Sequence, residues 1–253
     1  MTKIKSLFIS LVLTLGVSTA IAGSHGSTLD IVKERGKLMC GSNTGLAGFG
    51  NPNDAGVWEG IDVDVCRAVA AAVFGDANAV EFVPTTSKVR FTVLQSGEID
   101  MLSRNTTWTL QRDVELGLEF VGVNYYDGQG FMVRKDLGVS SATELDGASV
   151  CIQVGTTTEM NLADYFKAND MSYEPIPVET NSEADAAYLA GRCDIYTTDA
   201  SGLYASRAGY PDASAHMVLP EIISKEPLGP SVRHGDSEWA DICLLYTSPS
   251  PRD

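Results

Sequence analysis

The sequence predicts an α/β chain of mainly parallel sheets flanked by helices, laid out as two similar halves. Three observations carry this. Short apolar runs alternate with stretches of helical spacing, and glycines end many of those stretches. The pattern starts afresh after Gly130. Finally, the segment from Leu94 through Gly97 and Asp100 to Asn105 is echoed by the segment from Tyr188 through Gly191 and Asp194 to Asp199. Gly97/Gly191, Asp100/Asp194 and Asn105/Asp199 are each 94 residues apart. If the echo is structural, Asn105 and Asp199 end equivalent strands, and open α/β sheets bind ligands beyond the carboxyl ends of their strands.

The N-terminus reads as a signal peptide over residues 1–22. Lys3 and Lys5 form a positive start, Leu7 to Val17 an apolar stretch, and Ala20-Ile21-Ala22 a small-residue cleavage site. Cleavage before Gly23 removes two lysines and no acid, taking the net charge from −15 to −17. Leu38 to Gly41 is then a strand, and Ser42 to Gly60 a loop. Ile61, Val65, Val69, Val73 and Phe74 keep helical spacing up to Gly75. Val80 to Val83 is a strand, Phe91 to Gln95 helical, and Ile99 to Leu102 a strand. A helix start is expected at Thr109. In the second half, Phe131 to Val133 and Ser149 to Val154 are strands. Thr156 and Glu159 have capping-box spacing for a helix beginning there. Pro175 to Val178 is extended, Ser182 caps a helix through Leu189, and Cys193 to Thr197 is a strand.

With 253 residues, the chain has room for two domains of ordinary size. The acidic balance argues against nucleic acid and anionic membranes as partners. Export permits disulfides. Four of the five cysteines fall as one pair in each half, predicting Cys40–Cys66 and Cys151–Cys193, although four cysteines allow three pairings and buried thiols remain the alternative. There is no Cys-x-x-Cys, and His25, His216 and His234 are scattered, so no metal and no cofactor is expected.

The stretch from Ile99 to Arg112 concentrates the functional signal. A strand runs into Asn105, Thr106 and Thr107, and Arg112 follows in the first turn of the expected helix, where the helix dipole favours anions over cations. Backbone N–H groups beside a guanidinium fork make a carboxylate receptor. A free amino acid also carries an ammonium, which Asp199 would meet with help from Asn105 and the Thr107 hydroxyl. Arg112 with the N–H groups of Thr107 and Thr157 would hold the carboxylate, and Thr156 would stand beside them. Both charges must be met, because an unpaired buried charge is costly. Duller roles exist for each residue: Arg112 paired with Asp113 or Glu115 at the surface, Thr156 to Thr158 and Asp199 as helix caps, and Asp62 and Asp64 favouring a helix dipole.

Several segments, in order, resemble the substrate-binding proteins of polar amino-acid ABC transporters, in particular the general L-amino-acid-binding type. They are the runs Gly60 to Val73, Ser103 to Asp113, Asn124 to Val133, Gly155 to Glu159, Ala190 to Asp199 and Glu221 to Pro230. The resemblance covers Thr28 to Ile242 and implies a two-lobed periplasmic binding protein fold (type II) that closes by a hinge. It implies lobe 1 over residues 28–127 with 225–242 returning to it, lobe 2 over 128–224, and crossovers near Asp127 to Gly130 and Pro220 to Pro227. It assigns the ligand carboxylate to Arg112 and the ammonium to Asp199, with Asn105, Thr107 and Thr157 assisting, and the cysteine pairs fit it. The implied partners are free L-amino acids and a permease–ATPase complex. The expected protein is a monomeric, non-enzymatic receptor in the periplasm with broad side-chain tolerance, and Ser87 and Arg90 are expected to line the side-chain pocket. The alternatives are a dehydratase-like enzyme on the same fold or an extracytoplasmic sensor. Residues 243–253 depart from the family pattern and are expected to be a non-native tail, with Pro249 and Pro251 barring the helix begun at Trp239.

Overall fold

The structure is a computed structural model that describes residues 26–247. The signal segment of residues 1–22 and the end of the tail, residues 248–253, lie outside the described residues.

Two five-stranded sheets organise the chain. In the first lobe, Leu38–Ser42 pairs in parallel with Val80–Pro84 on one side and Met101–Leu102 on the other. Ser231–Arg233 enters antiparallel between Met101–Leu102 and Leu118–Phe120. In the second lobe, Ala148–Gln153 lies in parallel between Tyr173–Val178 and Ile195–Asp199. Gln129–Arg134 then pairs antiparallel with Ile195–Asp199 and with His216–Val218. Each sheet is thus a parallel core extended by antiparallel strands that begin or end at the crossovers. The chain passes between the lobes twice, and the passing segments Tyr125–Asp127 and Glu226–Leu228 pair antiparallel with each other.

Helix Ile61–Phe74 begins at Gly60, whose φ of 123° suits glycine, and a Cβ there would collide with the Phe49 backbone. Its fully buried face is Val63, Cys66, Val69 and Ala70, while Val65, Val73 and Phe74 are only partly buried. The stripe is rotated from the predicted one, and within it Cys66 is tied to Cys40 on strand Leu38–Ser42, with Cα atoms 6.3 Å apart. In the second lobe Cys151 is joined to Cys193, Cα atoms 5.6 Å apart.

The internal echo has a structural meaning. Asp100 donates its backbone N–H to the Met39 carbonyl (2.9 Å) and accepts the Met39 N–H on its carboxylate (2.7 Å). Asp194 repeats this with Ser149, at 2.9 and 3.0 Å. Each aspartate also meets an arginine, Arg35 or Arg134. The two halves therefore start their central strands with the same clip.

Three local expectations are corrected. Thr180, not Ser182, caps helix Asn181–Leu189. Thr180 Oγ1 accepts the Glu183 N–H, and Glu183 accepts the Thr180 N–H in a full capping box. The helix expected from Thr109 is a single π turn, Gln111–Glu115. Leu110 and Val114 are exposed there, so no apolar stripe supports a longer helix. Helix Ser237–Thr247 runs through Cys243, which is buried in the first-lobe core with Trp239 and Ala240. The first tail residues, Cys243 to Thr247, therefore continue the helix that the tail was expected to bar.

Candidate functional site

The loop after Met101–Leu102 is held from two sides. Asn105 has φ 30°, a left-handed conformation tolerated by asparagine. Its N–H donates to the Asp62 carboxylate at 2.7 Å, and Asp62 also accepts from Asn124 Nδ2 (3.1 Å) and Ser103 Oγ (3.4 Å). Asp62 is thus a buried bracket for the loop, rather than a carboxylate placed only to suit the helix dipole. Burial pushes its pKa up to about 6 against these hydrogen bonds. On the other side, Trp108 N–H donates to Pro227 O (2.8 Å) and Gly229 N–H to Thr106 O (3.0 Å). These bonds flank the bridge between Thr107 and Leu228. In such a pair the bonds belong to the neighbouring residues, so Thr107's own N–H and C=O point the other way.

Arg112 is buried, and its Nη1 donates to the Thr107 carbonyl at 2.9 Å. It does not pair with Asp113, which accepts from Trp108 Nε1 (2.8 Å). Because the element is one π turn, the helix dipole argument carries little weight. A π turn is itself common at functional sites. Burial lowers the Arg112 pKa to about 10, opposed by the carboxylates of Glu226 and Asp199.

From the second lobe, Ile195–Asp199 ends at Asp199, which is buried at the N-cap position of Ala200–Ala208 but accepts no capping hydrogen bond from it. Burial raises its pKa to about 7, with Asp127 and Glu226 adding to the rise. A hydrogen bond from the Asn105 side chain and the charge of Arg90 oppose it. The two echo residues, Asn105 and Asp199, thus meet across the cleft. Thr156 caps helix Thr157–Ala168, accepting the Glu159 N–H at 3.1 Å. Gly155, with φ 73°, lets this turn pass close to the backbone of Ser87 and Lys88 from the first lobe. The Thr107 and Thr157 hydroxyls are 3.3 Å apart, and Thr157 Oγ1 donates to Glu226 at 2.9 Å.

Ser87, Arg90, Asn105, Thr107, Thr156, Thr157 and Asp199 surround one narrow polar cavity of about 20 Å³, joined by Gln153, Thr158 and Thr198. That is room for about one water molecule, so a ligand enters only as the walls part. Arg112 is not on this wall. It borders the adjoining pocket at the cleft edge with Ser87, Phe91 and Thr156, and its guanidinium and that of Arg90 lie 5.2 and 4.8 Å from the Phe91 ring. Asp62, Arg104, Gln153 and Glu226 were not picked out as site residues from the sequence. Arg104 is buried, donating to Thr85 O (2.9 Å) and Ser87 Oγ (3.0 Å). Glu226 accepts from Thr157, Asn161 and Ser224 while standing on the return crossover.

Residues 38–243 match the model of the bacterial extracellular solute-binding proteins, family 3. The chain belongs to this family. This solute-binding protein is 61% identical over 230 residues to the glutamate/glutamine/aspartate/asparagine-binding protein BztA of Rhodobacter capsulatus, covering 90% of this chain and 68% of the relative. It is 60% identical over 231 residues to the general L-amino acid-binding periplasmic protein AapJ of Rhizobium johnstonii, covering 91% and 67%. Among solved structures, a periplasmic binding protein from Brucella ovis with glutathione bound matches with a TM-score of 0.84 at 57% identity, covering 88% of this chain and 70% of that one. The two-lobed α/β architecture is thus shared with solute-binding proteins, and the named relatives are binding proteins rather than enzymes.

Proposed function

We propose that this protein captures free L-amino acids in the periplasm as a monomeric receptor and passes them to an ABC transporter's permease and ATPase. The observation that carries the reading is the set of charged and polar groups gathered around the narrow cavity between the lobes. Asp199 stands on one wall, the Thr107 N–H with Arg112 behind it on the other, and the first turn of helix Thr157–Ala168 beside both. Asp199 receives the ligand ammonium. Arg112, the Thr107 N–H and the N–H groups of Thr157's turn receive the carboxylate. The names of the relatives at 60% and 61% identity support the ligand class, and the name of a 52% identical Escherichia coli relative, a putative amino-acid ABC transporter-binding protein, supports the transporter partnership.

A second reading has its own support in the glutathione-bound relative. The γ-glutamyl residue of glutathione carries the same free α-carboxylate and α-ammonium, so the same groups suit it with the cleft less fully closed. The test is a thermal melt with each L-amino acid and with glutathione at millimolar concentration, D-amino acids and sugars serving as controls. A ligand at a thousandfold excess over its Kd adds about 4 kcal/mol of stability. Upward shifts with L-amino acids and none with the controls support the first reading. A shift with glutathione alone replaces it with the second, and no shift with any of them overturns both.

A further inference from the structure

Asp199 occupies the N-cap position of helix Ala200–Ala208, with φ −51° and ψ 136°, yet its side chain accepts no hydrogen bond from that helix. Aspartate is among the residues that most favour capping at such a place. The first turn finds its acceptors elsewhere. The Ala200 N–H donates to the Gly128 carbonyl at 2.8 Å. The Ser201 N–H donates to Asp127 Oδ1 at 3.4 Å, and the Ser201 hydroxyl donates to Asp127 Oδ2. Both acceptors belong to the first crossover. Asp127 ends strand Tyr125–Asp127, two residues before Gln129, the strand partner of Asp199, so it reaches past the strand end to the helix start. Its Oδ1 also accepts the Gly128 N–H at 2.8 Å, which holds the carboxylate there. A Cβ at Gly128 would meet the Ser224 carbonyl and the Ile222 side chain, so glycine lets the crossover run this close.

Building on the amino-acid-binding reading, we propose that Asp127 is a positioning residue for ligand capture: it caps helix Ala200–Ala208 from the crossover in place of Asp199, leaving the Asp199 carboxylate on the cavity wall and uncommitted to its own helix. A carboxylate bonded to the N–H groups of its own helix would have its lone pairs and its charge engaged there. Asp127 itself is not among the cavity's lining residues, so it acts through Asp199. The groups facing Asp199 come from several elements. Asp127 and Glu226 stand on the two crossover strands, Arg90, Arg104 and Arg112 in the first lobe, and the Tyr196 phenol on its own strand. After burial, the charges of Asp127 and Glu226 are what push the Asp199 pKa up, and Arg90 opposes them. Asp127 and Glu226 are register partners on the paired crossover strands. Glu226 attends the other helix at the cleft, accepting from Thr157 Oγ1 (2.9 Å) and Asn161 Nδ2 (2.7 Å). Each crossover strand thus supplies one carboxylate to one helix start of the second lobe.

The experiment is calorimetry with L-glutamine between pH 5 and 8 on wild type, Asp127→Ala and Asp127→Asn, with a thermal melt of each. In Asp127→Ala the Ser201 N–H loses its acceptor and Asp199 turns back to take it. Affinity at pH 8 should fall about 10-fold or more. The midpoint of the pH profile should drop by about one unit, because a like charge is removed and a capping hydrogen bond gained, and both favour the ionised carboxylate. Asp127→Asn keeps Oδ1 as an acceptor and loses only the charge. It should bind at least about threefold more tightly than Asp127→Ala at pH 8, while its midpoint still drops. An Asp127→Ala affinity within about twofold of wild type overturns the proposal. So does a weakened affinity with an unmoved midpoint, the mark of a purely structural role, and so does Asp127→Asn binding no tighter than Asp127→Ala. If Asp127→Ala shows no cooperative melt, the midpoint of Asp127→Asn decides: a drop supports the proposal and an unmoved value overturns it. Wild type that binds while the variants behave like it sinks this inference alone, whereas wild type that binds no L-amino acid sinks the amino-acid reading with it.

Discussion

Asp199 makes ligand capture pH-dependent in a direction that can be worked out beforehand. In the unliganded protein its pKa is about 7, so below that pH the carboxyl is protonated and offers no charge to an ammonium. Binding requires the ionised form, so affinity falls as the pH drops through 7 and levels off above it. A two-state titration at pKa 7 makes the affinity at pH 5 about 90-fold weaker than at pH 8, or about 2.7 kcal/mol. At pH 6 about 0.9 protons should leave the protein per ligand bound. The assay is calorimetry with L-glutamine, whose side chain does not titrate in this window, in two buffers of different ionisation enthalpy. The free protein should show the opposite trend. A carboxyl whose pKa is raised above its unfolded value contributes stability at low pH that is lost as the pH rises toward the folded pKa. Asp199 and Asp62, at about 7 and about 6, therefore lower the melting temperature between pH 4 and 7 while the ligand-induced increment grows. Asp199→Asn should bind weakly at every pH and release no proton. An affinity that is flat from pH 5 to 8 with no proton release would refute the assignment of Asp199 to the ammonium.

Three further outcomes follow from the geometry. Arg112→Ala removes the fork beside Thr107, and calorimetry should show a loss of about 3 kcal/mol or more, roughly 100-fold in Kd, with an affinity within threefold of wild type counting against its role. Gly60→Ala imposes a side chain at φ 123° against the Phe49 backbone and should cost at least about 2 kcal/mol in urea unfolding. The disulfides close separations of 26 and 42 residues. Denaturation with and without reductant should show that each contributes about 2–4 kcal/mol, and a denaturation midpoint unmoved by reduction would exclude that.

Much of the fold was legible because its signals are local. The alternation of strands and helices and the Thr156 cap are each written within a few neighbouring residues, and each copy of the echo, around Gly97 and around Gly191, is itself a short segment. The capping box at Thr180 and Glu183 was equally local, and the correct cap was present in the pattern. What escaped detection depends on distant chain. Glu226 reaches the cleft only because the return crossover lies against residues 106–108. Asp62 looks like any first-turn acid until the loop of Ser103 and Asn105, some forty residues on, closes over it. The buried face of Ile61–Phe74 is turned by about a quarter turn from the expected one, and its Cys66 is tied to Cys40, a partner 26 residues away in the chain. Arg90 and Arg112 were both named from the sequence, but only the packing around Phe91 separates the wall that each occupies.

In this conformation the walls of the cleft already touch. Asn43 Nδ2 donates across it to Asn181 Oδ1 (3.1 Å), the Thr107 and Thr157 hydroxyls meet, and Lys88 faces Glu179 at 3.4 Å near the surface. The first two contacts are neutral and the third is exposed, so each contributes about 1 kcal/mol or less. Asp199 is 6% exposed behind them. A solute arriving by diffusion therefore meets a shut door, and its association rate is the encounter rate multiplied by the fraction of molecules that are open. Weakening the Asn43–Asn181 contact should quicken uptake and release together, so residence time in this protein is governed partly by asparagines outside the lining of the cavity.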